Sequence, residues 1–167
     1  TAGQIISIHN QESPAEDELY KTGKGDFLRL YKIFGMDGSP LPVTGQSSLR
    51  SWLPHFNQGQ TILLVHNTYM PLEDVAFANE YAQHHGLRLF YCICAGANLY
   101  IENSLPPLAY FLESGCRLLI GTDSYSSNQQ LSIAREIQLL HNSFPSIPLE
   151  TVLQWASSNA ADAFAWD

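Results

Sequence analysis

The chain has 167 residues, 45% hydrophobic and 14% charged, which suits one ordinary folded domain and excludes a disordered segment. Sixteen acidic side chains against eight basic ones leave a formal net charge of −8, which excludes a nucleic-acid groove built from clustered Lys and Arg. No apolar run approaches the roughly 20 residues that cross a bilayer, and the opening Thr1, Ala2, Gly3, Gln4 lacks the basic and apolar blocks of a secretory signal, so a cytoplasmic protein off the membrane is expected.

Short aliphatic runs then alternate with longer amphipathic stretches. Gln4 to His9 reads as the first strand, with His9 closing the run Ile5, Ile6, Ser7, Ile8. Glu16 to Ile33 follows as one or two helices interrupted near Gly23 and Gly25, and Ser48 to Phe56 continues the crossover after a turn-rich stretch from Met36 to Gln46. Thr61 to His66 is the second strand, closed by His66. Pro71 opens a helix to about His85, stopped by Gly86, with Leu72, Val75, Ala76, Asn79 and Ala82 as its expected inner face. Arg88 to Ile93 is the third strand, followed by an Ala95 to Asn98 loop and a shorter helix from Leu105 to Ser114. Cys116 to Gly121 is the fourth, running into Thr122, Asp123 and Ser124. Asn128 to Asn142 and Pro148 to Phe164 close the chain as two helices.

Strands alternating with helices imply a parallel sheet joined by crossovers, either a small open sheet or half of an eight-stranded barrel. His9, His66, the Ala95 to Asn98 loop and Asp123 all follow their strands, so they gather at the carboxyl edge, where barrels keep their chemistry; this favours the barrel half. Three cysteines make no disulfide framework. Cys92 and Cys94 would point to one face of a strand, and buried, reduced thiols are expected there rather than a metal set. His55, His84, His85 and His141 fall on helices or helix ends and read as surface.

The segments Ser7 to Glu12, Leu64 to Asn67, Ala97 to Asn103 and Gly121 to Asn128 together resemble the later part of the amidohydrolase superfamily, closest to its ring-deaminating and chlorohydrolase-like aminohydrolase branch. There, strand five carries HxxE, strand six ends in His, the next loop carries Asn-Leu, and strand eight ends in GTD before a serine-rich turn to Asn. His9 with Glu12 discriminates little by itself, because acids are frequent. The Gly121-Thr122-Asp123-Ser124 turn with Ser126, Ser127 and Asn128 discriminates most. The resemblance spans nearly the whole chain and departs at Ala95, Gly96, Ala97, where relatives show Pro and Ser before Asn-Leu.

It implies an α/β partial TIM barrel, strands five to eight with their helices, residues 1–167 forming a single carboxyl-terminal half. It also implies a divalent metal, zinc ahead of iron, held by His9 and Asp123. Asp123 would take the water proton, His66 would orient the attacking oxygen, Glu12 would protonate the ring, and Asn98 would contact substrate. Competing readings are a backbone-bonded histidine at position 9, a helix-dipole acid at 12 and a turn-closing residue at 98. The family's HxH strand and small β-sandwich have no counterpart in these residues, so the full protein is expected to deaminate a small heterocycle and this piece to be inactive alone. An exposed inner face and strand edges would drive self-association or pairing with the other barrel half. The alternatives are a noncatalytic α/β binding module, a cyclic-amide hydrolase or a dechlorinase.

Overall fold

The computed structural model describes residues 3–166; Thr1 and Ala2, which begin the opening segment read above, and Asp167 lie outside the described residues. Strands β1 (Ile5–Asn10), β2 (Thr61–His66), β3 (Arg88–Ile93) and β4 (Leu118–Ile120) form one parallel sheet in the order 1-2-3-4. Helices α1 (Pro14–Thr22), α2 (Phe27–Ile33) and α3 (Ser48–Trp52) join β1 to β2. Helix α4 (Leu72–His85) joins β2 to β3, and α5 (Ala95–Glu102) and α6 (Leu108–Glu113) join β3 to β4. After β4 come α7 (Ile133–Ser143), α8 (Leu149–Ala156) and α9 (Ser158–Phe164). No described helix is long and apolar enough to cross a membrane.

The alternation of side chains along each strand separates two apolar layers. Ile62, Leu64, Leu89, Tyr91, Ile93 and Leu118 pack beneath the helices with Val75, Leu108, Phe111 and Trp155, forming the main core. On the opposite face Leu63, Phe90 and Leu119 are buried against Ala163 of α9. The inner face is thus covered over β2, β3 and β4, while Ile5, Ser7 and His9 on the same face of β1 remain exposed. Asn159 fixes α9 in place by donating Nδ2 to the Leu118 carbonyl at 2.9 Å. Arg88 and Arg117 reach Asp162 from the strand starts, and both guanidinium groups lie over the Phe90 ring.

Several boundaries differ from expectation. Ala95 to Asn98 is the first turn of a helix and not a loop; Gly96 lowers local helix preference, but its N–H is held by the distant Glu136 carboxylate at 2.9 Å. Helix α7 starts at Ile133, five residues late, because Ser132 caps it by accepting the Arg135 N–H while Asn128 bonds backward into the preceding turn. Ser157, at φ −128° and ψ −89°, divides the last expected helix into α8 and α9. Strand β4 pairs over only three residues. In α4 the buried set is Asp74, Val75, Ala78 and Ala82, while Leu72 is 48% exposed at the first turn.

Candidate active site

Parallel register places the strand ends side by side: His9 is opposite Val65, and Asn10 is opposite His66. Strict alternation would send His66 to the helix-covered face of Ile62 and Leu64. Instead its backbone turns left-handed at φ +73°, and its ring meets that of His9 edge-on with centroids 5.0 Å apart. Gln11, Asn67 and Asp123 share positive φ at these same strand ends. Such conformations cost roughly 1–2 kcal/mol each for residues bearing a Cβ, and their clustering marks the edge as a place where packing over-determines the backbone. Asn67 supplies part of that packing, donating Nδ2 to the Leu64 carbonyl at 2.7 Å and accepting from Asn10 at 3.0 Å.

The candidate residues converge. One ligand atom each from His9, His66 and Asp123 lie within 4.8 Å of one another. Ligands of a tetrahedral zinc at about 2.0–2.2 Å are roughly 3.3–3.6 Å apart, so small side-chain rotations would close the set. His66 Nδ1 lies 2.9 Å from Asn98 Oδ1, an oxygen that can only accept, so Nδ1 is the donor in this contact, and in the neutral imidazole Nε2 carries the lone pair. That Nε2 is buried and has no hydrogen-bond partner among the described residues. A buried, orphaned imidazole nitrogen beside a histidine and a carboxylate is a donor set that fits a divalent cation. The Glu12 Oε1 atom is 3.6 Å from the same Nε2. Glu12 precedes α1, whose first-turn acids are Glu16 and Asp17. Ser127 Oγ donates to Asp123 Oδ2 and steadies the carboxylate.

Asn98 is fully buried, and both ends of its amide face His66, with Nδ2 3.5 Å from the His66 carbonyl. The remaining histidines, at 55, 84, 85 and 141, are exposed as expected. Cys92, Cys94 and Cys116 are free, and the first two share a face against Gly121. The contact with Cys92, together with burial, pushes the Cys94 thiol well above its ordinary range.

A cavity of about 550 Å³ opens beside His9 and Glu12, with Glu16, Tyr20, Phe27 and Trp52 on its walls. Burial raises the Glu16 carboxyl above the usual range, more than its bonds to Ser48, Gln11 and Glu12 lower it. Sequence reading missed Glu136, a carboxylate with no exposed surface that bridges α5 to the turn after Asp123. Its signal was an acid at the first of the core-facing positions 136, 137 and 140 of α7.

A parallel α/β sheet with His, His and Asp converging at its carboxyl edge is the class of architecture that carries strand-end metal chemistry. Within that class the chain belongs to the amidohydrolase family, whose profile matches residues 2–167. It is 27% identical over 136 residues to an aminodeoxyfutalosine deaminase of a Nitratiruptor species, an overlap covering 81% of this chain and 30% of that protein. The fold matches crystalline Helicobacter pylori aminofutalosine deaminase with a TM-score of 0.76 at 23% identity, over 96% of this chain and 39% of that one. It also matches a Xanthomonas campestris adenosine deaminase with bound zinc, TM-score 0.59 at 18% identity, over 96% and 32% of the two chains. The chain therefore spans roughly a third of the length of these relatives.

Proposed function

We propose that residues 1–167 are strands five to eight, with their helices, of an amidohydrolase barrel that hydrolytically deaminates an amino-substituted heterocycle. The observation carrying this reading is the convergence of His9, His66 and Asp123 within 4.8 Å beside the Glu12 carboxylate. His9 and Asp123 would hold a divalent metal, zinc in preference to iron. Bound there, the metal would lower the pKa of water and so supply hydroxide at neutral pH. Asp123 accepts the water proton, His66 orients the attacking oxygen through Nε2, and Glu12 protonates the ring nitrogen next to the attacked carbon. Water adds to that carbon, Asp123 passes the proton it took to the amino group, which leaves as ammonia as the carbon–nitrogen bond breaks, and the added hydroxyl returns its proton to Glu12 as it becomes the ring carbonyl.

Relatives named as deaminases of aminodeoxyfutalosine and adenosine point to a 6-aminopurine nucleoside, and the 550 Å³ cavity has room for its sugar. The test is metal analysis of the full-length protein, with ammonia release measured from a panel of aminopurine nucleosides. Zinc-dependent release that is lost in D123A is expected. Normal turnover by D123A would sink the assignment.

A further inference from the structure

Glu136 lies outside the set that would touch metal or substrate, yet it is a carboxylate with no exposed surface in the first turn of α7. Burying such a charge is costly unless hydrogen bonds replace water. Its two oxygens each take one donor. Oε2 accepts the Gly96 N–H at 2.9 Å, at the start of α5, and Oε1 accepts Asn128 Nδ2 at 2.7 Å. The same Asn128 amide nitrogen donates to the Thr122 carbonyl at 2.8 Å, one residue before Asp123. On the other side, α5 carries Asn98, whose Oδ1 accepts from His66 Nδ1.

We propose that Glu136 is a positioning residue that fixes the separation of the two walls of the metal site, the Asn98–His66 wall through Gly96 and the Asp123 turn through Asn128. A Cβ placed on Gly96 would come within 2.7 Å of both Glu136 Oε1 and Asn128 Nδ2, so the bridge leaves no slack. Loss of the carboxylate frees two donors together and lets α5 and the Asp123 turn drift independently. This inference rests on the metal-site reading above.

The test is zinc affinity of the full-length protein by chelator competition, beside thermal unfolding. E136A should weaken zinc binding by roughly 10- to 100-fold, as loss of a supporting partner does. L140A, a core change on the same helix without a polar contact, should lower Tm while keeping affinity within about twofold, which separates positioning from mere stability. If E136A fails to fold, E136Q leaves one accepting oxygen for the two donors and sets an NH2 against the other, and about tenfold weakening is expected. Supporting it further, Co²⁺-loaded E136Q should show altered visible bands. Unchanged zinc affinity in whichever Glu136 variant folds, or equal loss in L140A, overturns the proposal. Absence of zinc binding by the unsubstituted protein instead overturns the metal-site reading and, with it, this inference.

Discussion

His66 and Asn98 meet twice, through His66 Nδ1 and Asn98 Oδ1 at 2.9 Å and through Asn98 Nδ2 and the His66 carbonyl at 3.5 Å. The first contact selects the tautomer, and that choice leaves the Nε2 lone pair facing His9 and Glu12. Asn98→Ala would strand a buried N–H, at about 1–3 kcal/mol, and free the ring to exchange tautomers. We expect lower stability in denaturant unfolding together with zinc affinity reduced roughly 10- to 100-fold. A substitution that lowers stability but leaves affinity untouched would show that Asn98 only closes a turn.

Metal binding should stabilise the fold, since the site forms only in the native state. At a free zinc concentration about 100 times Kd the gain is about 2.7 kcal/mol. EDTA should reverse it, and D123A should show no zinc-dependent rise in Tm.

Much of the site was legible because its residues end aliphatic runs. Strands closing in His9, His66 and Asp123 need only local pattern to be recognised. The left-handed turn at His66 was not legible, since it depends on how β2 packs against Asn10 and Asn67. Helix α5 and Glu136 were missed together, for one reason. The Gly96 N–H finds its acceptor 40 residues away, and no window of sequence contains both partners. The break at Ser157 is similar, because Asn159 draws α9 onto the Leu118 carbonyl.

Glu16 provides a pH-dependent prediction. Its folded carboxyl titrates above the ordinary value because burial disfavours the charged form. The folded state therefore binds that proton more tightly than the unfolded chain does. The resulting stability is present in full below the unfolded pKa and is lost as pH rises through the raised folded one. At pH 8 the ionised group is a liability, so Glu16→Gln should raise Tm by roughly 2 °C, and the gain should vanish near pH 4. An equal gain at both pH values would remove ionisation as the cause.

Strand β1 is paired on one side only within this sheet, and Ile5 on it is 41% exposed. Such an edge invites another strand. Residues 1–167 alone should sediment above monomer mass at micromolar concentration, and Ser7→Lys, on the exposed part of β1, should shift the population toward monomer. A concentration-independent monomer would show that the helices already shield the edge.

Gly121 tests how tightly the Asp123 turn is seated. Its φ is not among the positive ones, so alanine meets no backbone penalty there. A Cβ at this position would, however, lie 2.8 Å from Cys92 Sγ and 3.0 Å from Cys94 Sγ, closer than nonbonded carbon and sulfur tolerate. Gly121→Ala must displace either the thiols or the strand end, at about 1–3 kcal/mol. The strand end leads two residues later to Asp123, so zinc affinity should fall along with stability. Trimming both sulfurs in C92A/C94A should restore space, making the triple variant more stable than the sum of its parts predicts by at least about 0.5 kcal/mol. Additivity would mean that the thiols yield freely and that the position of Asp123 is set by Ser127 and Asn128 alone.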